Sequence, residues 1–532
     1  VIMRETEREL IIYHDEHIAA LKVPHKTFMA SDGTVIMRIP HTLDAVKLLR
    51  NFGYNAPSPL VRSSEYDWAS QRPFASQVDT AARLLLNPRM FILSEMGVGK
   101  TLAVLFAFDY LRKLGAVKRM LVVAPKSTLT TVWEQEIFRR LPHLEATVLY
   151  GDREKRLKLL NQPADIYIIN HDGLKVFCPK RKRNNYSSFV LGKELAARTD
   201  IDVVVLDELA IYRNASTDRW KTAKELVAGR KYVWGLTGSP IPKSPTDAFA
   251  QVRLLNPIRV AGMSFTSFRE DTMYPQGPFK WLPRRDALTK VYEIMQPAVR
   301  YTRDECFDLP ETTYSYRNSA LSASQKEAYK QMAQKMVIEH QGQRIVALNA
   351  GVQYMKLLEI LTGFVFDAAG NIVHLDAKPR LDVLDEIIEE SEGKVIVFTP
   401  FKPSVSIIAD HLRKQGAAVA QVTGDTSLAD RTKIFTGLQH GLTPRVLVAH
   451  PKAMSHGLTL TAASTIVWFA PLPDLEIYEQ ANARITRPGQ KLHTHIVHIV
   501  STPTESKVAK TLQTRGNLQQ VLLEMFVSKK RA

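Results

Sequence analysis

The chain has 532 residues, of which 45% are hydrophobic; this length and composition exclude a largely disordered protein and predict several packed domains. Its 71 Lys and Arg residues outnumber 54 Asp and Glu residues, which gives a formal charge of +17. Such an excess favours association with polyanions, nucleic acid above all, although charge alone does not determine a fold.

The two cysteines, Cys178 and Cys306, stand in neither a paired nor a metal-ligand spacing, which argues against a disulfide framework and a Cys-based zinc site. Apolar runs stay well short of the roughly 20 residues that span a bilayer, and the charged start VIMRETEREL lacks a signal-peptide core. We therefore expect a protein of the reducing cytoplasm without a membrane partner.

Residues 1–68 predict a small N-terminal ββα-like module. Two apolar runs, RELIIYH and VIMRI, flank the turn signal Ser31-Asp32-Gly33, and LDAVKLLRNFG follows as a helix that ends at a glycine. Sequence pattern does not assign a binding surface, so a packing layer and a nucleic-acid recognition module are both open here.

Further along the chain, short continuous runs rich in Val and Ile predict strands of parallel sheets that helices cover on both faces. They are Met120–Ala124, Ile166–Asn170, Val203–Leu206, Tyr232–Leu236, Val395–Phe398, Arg445–Ala449, Thr465–Phe469 and His495–Val500. The runs form two clusters, with helical patterns at Ser324–Val337 and Gly351–Leu361 between them. We predict an α/β protein with a first lobe at 69–310, a second lobe with a helical insertion at 311–502, and a helical, basic tail at 503–532.

A phosphate-binding loop is predicted at SEMGVGKT, residues 94–101, between the strand-like FILS and a long helix. Gly97 and Gly99 let backbone N–H groups face phosphate oxygens, with Met96 and Val98 completing the loop. Lys100 can neutralise the β and γ phosphates and Thr101 can ligate Mg²⁺. The pattern predicts ATP and Mg²⁺ as ligands.

Two further charged segments follow in the first lobe. The basic run CPKRKRNNY, residues 178–186, predicts a loop between strands, and its residues Lys180, Arg181, Lys182 and Arg183 suit either nucleic-acid contact or a solvated surface. After the apolar run IDVVVL, Asp207 can hold Mg²⁺ and Glu208 can polarise the attacking water. Adjacent acids after a strand also occur as helix N-caps.

In this order, the motifs resemble those of superfamily 2 helicase-type ATPases, most closely the Swi/Snf-related DNA-translocase branch and its compact phage and bacterial versions, over about residues 69–500. The resemblance implies two tandem RecA-like lobes. It also implies that Gln77 of RPFASQ reads adenine, with Arg72 and Phe74 placed to contact or stack on the base.

The same resemblance implies nucleic-acid contacts in both lobes. In the first lobe these are Lys126 and Thr128 of APKSTLTTVWEQEI, Asn170 and His171 of INHDGL, and Thr237 and Ser239 of the coupling motif LTGSPIPKSPTDAF. In the second lobe they are Lys402 of KVIVFTPFKPSV, Thr423 of VTGD, and Ser455 of MSHGLTLTAAS, where Gly457 joins DNA contact to the ATP state. Ala210 stands where the family usually has His, which implies a rearranged coupling.

The segment YEQANARITRPGQ, residues 478–490, resembles the motif that carries arginine fingers. The family implies that Gln480 faces the nucleotide and that Arg484 and Arg487, spaced i,i+3 on one helix face, reach the γ-phosphate from the opposite lobe.

We therefore expect an ATP-dependent translocase on duplex or branched DNA, acting without base specificity in branch migration, fork remodelling or annealing, in a prokaryotic or phage-infected cytoplasm. An RNA helicase is an alternative, because nothing in the sequence distinguishes the strand sugar. A nucleotide-gated clamp with little turnover is another, prompted by Ala210.

Overall fold

The computed structural model describes residues 1–4, 8–21, 23–62, 65–68, 73–183, 186–189, 191–277, 280–307, 309–335, 337–340, 343–346, 350–367, 369–454, 459–472, 474–487 and 489–512. Within 180–190 and 335–351, and at 428, the description covers the backbone only. The described chain forms two compact units, which divide between Cys306 and Phe307. We call them unit 1 and unit 2.

Unit 1 begins with a four-stranded antiparallel sheet. Its elements are β1 (Ile2–Arg4), β2 (Glu9–Tyr13), α1 (Glu16–Ala19), β3 (Lys26–Met29), β4 (Val35–Pro40) and α2 (Leu43–Asn51), and the strand order is β1-β2-β4-β3. Leu10, Ile12, Met37 and Ile39 alternate toward the buried face, where Val46 of α2 joins the core. The module thus contains two strands more than the predicted ββα pattern.

The remaining strands of unit 1 are β5 (Arg89–Ile92), β6 (Arg119–Ala124), β7 (Ala146–Val148), β8 (Ile166–Asn170), β9 (Lys180–Arg183), β10 (Tyr186–Phe189), β11 (Ile201–Asp207), β12 (Tyr232–Leu236), β13 (Met273–Pro275), β14 (Trp281–Pro283) and β15 (Ala298–Val299). Seven of them form a parallel sheet of order β15-β5-β12-β11-β6-β8-β7. Successive residues of these strands enter two different cores, one on each face. This confirms the predicted doubly covered parallel sheet.

Ten helices belong to the described part of unit 1 after α2: α3 (Ala75–Leu86), α4 (Lys100–Lys113), α5 (Gln135–Arg140), α6 (Arg153–Leu160), α7 (Lys193–Ala196), α8 (Asp218–Val227), α9 (Asp247–Leu255), α10 (Phe265–Thr272), α11 (Ala287–Ile294) and α12 (Arg303–Cys306). The basic run is not the predicted loop, because β9 and β10 pair as an antiparallel hairpin.

Unit 2 contains β16 (Thr312–Asn318), α13 (Ala323–Lys335), β17 (Val337–His340), β18 (Gln343–Val346), α14 (Ala350–Leu361), β19 (Phe364–Phe366), β20 (Ile372–His374), α15 (Lys378–Glu390), β21 (Lys394–Phe398), α16 (Lys402–Lys414), β22 (Val419–Val422), α17 (Leu428–His440), β23 (Val446–Ala449), β24 (Ala463–Trp468), α18 (Leu475–Asn482) and β25 (Thr494–Val500). Its main sheet has the order β16-β25-β24-β21-β23-β22, and all pairings are parallel. The second predicted α/β lobe is therefore confirmed as well.

A buried ion pair fastens the end of the described chain to unit 2. Arg380 donates to Glu505 at 2.7 Å and to the main-chain oxygens of Phe469 and Ile499, both at 2.7 Å. Both charged side chains are buried, and Glu505 lies in the helical stretch 503–512. Among the described residues, no helix combines the length and the apolar character that crossing a membrane requires.

Candidate nucleotide-binding site

The phosphate-binding loop lies between β5 and α4, at the carboxyl edge of the unit 1 sheet. Gly97 and Gly99 have φ angles of 88° and 81°, a left-handed conformation that glycine adopts without steric cost. Gly99 is the residue immediately before the first turn of α4, whose first N–H groups have no partner within the helix. The loop therefore has the backbone conformation that binding a phosphate requires.

Lys100 is held inside this loop by main-chain oxygens. Its Nζ donates to the carbonyl of Ser94 at 2.7 Å and to that of Glu95 at 3.1 Å. Burial lowers the pKa of Lys100, whereas the carboxylates of Glu208, Asp207 and Glu95 favour its charged form. The Lys100 side chain thus lies near Asp207 and Glu208, which we call the acidic pair.

Asp207 ends β11, the central strand of the sheet, and both of its carboxylate oxygens accept a hydrogen bond. Trp133 donates its ring Nε1–H to Oδ2 at 2.9 Å, and the main-chain N–H of Glu208 donates to Oδ1 at 3.1 Å. Burial raises the pKa of Asp207, and the Trp133 bond opposes that rise. Sequence reasoning missed Trp133, because it looks like one more core residue of its segment.

Glu208 has φ 56°, a sparsely populated conformation for a side chain of this size. Thr237 donates its hydroxyl to Glu208 Oε1 at 3.1 Å, and the N–H of Ser239 donates to that same hydroxyl at 3.1 Å. Thr237 and Ser239 are each 1% exposed. The sequence predicts nucleic-acid contact for both residues; in this structure their side chains are buried, and Thr237 contacts Glu208. Ala210 is fully buried nearby in the chain.

Gln77 connects the predicted adenine motif to the loop. Its Oε1 accepts from the N–H of Phe74 at 3.0 Å, and its Nε2 contacts the carbonyl of Gly99 at 3.4 Å. The Phe74 ring is 45% exposed, as a stacking surface would be. Gln77, Gly99 and Lys100 also line one small pocket. Arg72 lies outside the described residues.

The predicted nucleic-acid contacts of unit 1 fall into two groups. Lys126 is exposed, and Asn170 is half-buried at the end of β8. Thr128 is buried and donates to the carbonyl of Pro125 at 3.0 Å, while His171 is buried with Nδ1 at 2.8 Å from the Tyr212 hydroxyl. Internal partners thus hold the side chains of Thr128 and His171, whose nucleic-acid contacts stay predictions. For Lys180, Arg181, Lys182 and Arg183, side chains lie outside the described part.

Unit 2 corrects the prediction that one helix carries both arginines. α18 ends at Asn482, so Arg484 and Arg487 lie in the turns that follow it. Pro488 comes next in the sequence and disfavours helical backbone before it. Arg487 donates Nε to the carbonyl of Ala483 at 2.8 Å, and Arg484 is 1% exposed. Gln480 is also buried.

Lys402 and Thr423 both contact Asp425 at the carboxyl edge of the unit 2 sheet, and Lys402 forms an exposed ion pair with it. Lys402 Nζ is 2.6 Å from Asp425, and the Thr423 hydroxyl accepts from the N–H of Asp425 at 3.3 Å. Ser455 and Gly457 lie outside the described residues. A phosphate-binding loop, an acidic pair and a second parallel lobe define a two-lobed ATPase.

Comparison with known proteins gives the family. The model of the SNF2-related domain matches residues 81–363, and that of the helicase conserved C-terminal domain matches 379–489. The chain therefore belongs to the SNF2-related family of superfamily 2 helicase-type enzymes, with two RecA-like lobes, and is a nucleic-acid-dependent ATPase.

Among its relatives is protein p41 of Acyrthosiphon pisum secondary endosymbiont phage 1, which is 26% identical over 480 residues, covering 84% of this chain and 96% of the relative. SWI/SNF-related matrix-associated actin-dependent regulator of chromatin subfamily A-like protein 1 of Xenopus laevis is 23% identical over 78% of this chain, which spans 40% of that relative's length. The Sulfolobus solfataricus SWI2/SNF2 ATPase core in complex with dsDNA is 21% identical, with 87% and 96% coverage and a TM-score of 0.38.

Proposed function

We propose that the protein is an ATP-driven translocase that moves along duplex or branched DNA without reading its sequence. The observation that carries the proposal is the assembly of Lys100, Asp207, Glu208 and Thr237 at one edge of the unit 1 sheet, in a chain whose charge is +17. This assembly has a cation for phosphate oxygens and two acids for metal and water, while the overall charge favours a polyanionic track.

In the proposed reaction Lys100 exchanges the carbonyls of Ser94 and Glu95 for the β and γ phosphates of ATP. Glu208 orients and polarises the attacking water, and its bond to Thr237 fixes where the carboxylate points. The chain offers no cluster of three or more metal-ligating side chains within the described residues, so Asp207 and Thr101 would hold Mg²⁺ together with the nucleotide. Bound Mg²⁺ neutralises charge on the phosphates.

Base recognition and the second lobe complete the proposed site. Gln77, Phe74 and Arg72 would contact the adenine. Arg487 and Arg484, with Gln480, would act from unit 2, and an arginine supplied to the γ-phosphate is worth about 10³ to 10⁵ in rate. Gly457 would link this motif to the nucleotide state.

The DNA backbone would be gripped from both units. We assign this role to Lys126 and Asn170 in unit 1, to Lys402, Thr423 and Ser455 in unit 2, and to the basic hairpin β9–β10. Lys402 would exchange Asp425 for a phosphate, which is a like-for-like replacement of one anionic partner by another. Such contacts predict steep salt dependence and little base preference.

The N-terminal module is the proposed reader of branched DNA. Its open sheet face carries Tyr13, which is 74% exposed, and Phe28, over whose ring the Arg38 guanidinium lies at 4.3 Å from the centroid. Rings and guanidinium planes of this kind stack on unpaired bases. Because Leu43 and Leu60 belong to a core of unit 1, substitution tests this role better than deletion does. Tyr13→Ala with Arg38→Ala should abolish the preference for forked over linear DNA and leave ATPase on linear DNA intact; a preserved preference would refute the role.

The decisive experiment measures ATPase rate and displacement of a third strand from triplex DNA, using forked, four-way, linear duplex, single-stranded and RNA substrates. A DNA motor is stimulated by duplex or branched DNA and loses displacement in both Lys100→Ala and Glu208→Gln. Stimulation by RNA alone would replace the proposal with an RNA helicase. The buried Ala210 prompts the alternative of a nucleotide-gated clamp. In a clamp, the wild-type protein would hydrolyse little ATP, and Glu208→Gln would keep or strengthen DNA binding.

A further inference from the structure

Residues 298–306 form the last stretch of unit 1 before the chain enters unit 2 at Phe307. We call this stretch the exit segment. It runs beside the phosphate-binding loop: Leu93 N–H donates to Val299 at 2.8 Å, and Glu95 N–H donates to Tyr301 at 3.0 Å. The pairing of β15 with β5 thus continues past the end of the sheet and into the loop that is assigned to ATP.

The Glu95 side chain gathers two arginines of the exit segment. Arg300 donates to Glu95 Oε1 at 3.1 Å, while Arg303 donates to Oε2 through its backbone N–H at 3.1 Å and through Nε at 3.0 Å. Arg300 is only 2% exposed and also donates to the carbonyl of Leu93 at 3.1 Å. Burial raises the pKa of Glu95, but Arg303 and Arg300 outweigh that effect and hold it below its ordinary value. Glu95 is therefore ionised at neutral pH.

Lys100 contacts two residues of the same loop, Ser94 and Glu95. Its Nζ binds the carbonyls of Ser94 and Glu95, while the Ser94 hydroxyl accepts from the N–H of Tyr301 at 3.1 Å. The peptide group between Ser94 and Glu95 thus has two partners: its carbonyl accepts from Lys100, and its N–H donates to the carbonyl of Tyr301. When Lys100 releases the Ser94 carbonyl, it therefore leaves a peptide group that also contacts the exit segment.

We propose that Glu95 is a positioning residue that transmits the nucleotide state of the phosphate-binding loop, through Arg300 and Arg303, to the segment that leads into unit 2. The inference rests on the proposed motor function and deepens it. Glu95 makes no contact with the nucleotide in this role. Its loss should therefore raise the amount of ATP consumed for a given movement along DNA.

The test compares Glu95→Gln with Glu194→Gln. Glu194 forms a Glu–Arg pair with Arg153 at 3.0 Å on the exposed surface of the same unit and serves as the matched control. ATP consumption and triplex-strand displacement are measured in one reaction on duplex DNA, together with the KM for ATP and a thermal melt. For Glu95→Gln we expect the ATP used per displaced strand to rise about fivefold or more, a larger change than the change in the KM for ATP, which also responds because Glu95 lies in the phosphate-binding loop. Glu194→Gln should match wild type.

Arg303→Gln and the double variant with Glu95→Gln complete the design. If Glu95 acts through Arg303, the double variant is no worse coupled than the worse single variant. If Glu95→Gln uses as much ATP per displaced strand as wild type, while wild type and the Glu194→Gln control are both active, the inference is overturned and the motor proposal is unaffected. A parallel fall of coupling, kcat and thermal midpoint would also overturn it, because it shows a purely structural role. A wild type that DNA does not stimulate would defeat the motor proposal, and the inference with it.

Discussion

Trp133→Phe isolates one hydrogen bond at the centre of the catalytic site. The Trp133 ring is fully buried, and its N–H is the side-chain donor to Asp207, at 2.9 Å. Phenylalanine keeps an aromatic ring in the core but cannot donate. A hydrogen bond to a charged group contributes about 1.5–3 kcal/mol, so its loss disfavours the ionised carboxylate by about tenfold or more.

The sign of the pH effect follows from the cause of the pKa shift. Burial raises the pKa of Asp207 and the Trp133 N–H lowers it, so the substitution raises that pKa further. Because the pKa is higher in the variant, Asp207 becomes protonated at a higher pH as the solution is acidified. Mg²⁺ binds the ionised carboxylate, so Mg²⁺ binding weakens at that higher pH as well. We expect the Mg²⁺ concentration for half-maximal ATPase to rise more steeply in the variant than in wild type as the pH is lowered from 8 to 6, by at most about tenfold.

The assay is a Mg²⁺ titration of DNA-stimulated ATPase at both pH values. Trp220→Phe is the matched control, because Trp220 is a buried tryptophan of the same unit that donates to the carbonyl of Ala250 at 2.8 Å. It should lower stability without changing the Mg²⁺ requirement. The same Mg²⁺ requirement in Trp133→Phe and wild type at pH 6, or an equal change in Trp220→Phe, would show that the Trp133 hydrogen bond does not control the ionisation of Asp207.

Three further substitutions test the loop, the acidic pair and the fold of unit 2. Gly99→Ala imposes a side chain at φ 81° whose Cβ would lie 2.1 Å from Gln77 Nε2, so ATP binding should weaken about tenfold or more in a fluorescent-nucleotide titration. Thr237→Val removes the donor to Glu208 and should lower DNA-stimulated kcat about tenfold with little change in KM, measured by steady-state kinetics. Arg380→Met leaves its buried anionic partner alone and should destabilise unit 2 by about 3–5 kcal/mol in denaturant unfolding.

Two of these have controls in the chain. Gly115→Ala meets a similar φ of 69° with nothing within 4 Å, so it should cost stability and spare ATP binding; equal loss of binding in both variants would contradict the loop argument. Arg317→Met removes an exposed pair with Glu390 and should cost less than about 1 kcal/mol. A Thr237→Val enzyme with wild-type kcat would show that the Glu208 bond does not matter for turnover.

Continuous apolar runs predicted the strands well because their residues alternate between two cores and so need no polar face. Val203–Leu206 and Val395–Phe398 lie inside β11 and β21 for this reason. The sequence did not predict β16 or β3. The residues of β16, TTYSYRN, lie at the edge of its sheet, and those of β3, KTFM, are exposed, so neither strand contains a continuous apolar run. Edge strands are defined by backbone pairing, which composition does not record.

The site shows the same division. The sequence names Lys100, Asp207 and Glu208 as candidates because each belongs to a short local motif at the end of a strand. The contacts of Asp207 with Trp133 and of Glu95 with Arg300 join residues 74 and 205 positions apart, so local pattern does not reveal them. Thr128, Thr237 and Ser239 match motifs by residue type, yet burial decides what their hydroxyls and N–H groups contact.

We propose that the loop around Lys100 binds one ATP and that Arg484 or Arg487 is required for its hydrolysis. The most direct measurement is the ATPase rate of wild type, Lys100→Ala, Arg484→Ala and Arg487→Ala, with and without duplex DNA, alongside ATP binding by each. We predict DNA-stimulated hydrolysis in wild type, lost binding and hydrolysis in Lys100→Ala, and retained binding with hydrolysis reduced about 10³-fold or more in Arg487→Ala. Undiminished hydrolysis in both Arg487→Ala and Arg484→Ala, or a wild type inert toward ATP on every polynucleotide, would contradict it.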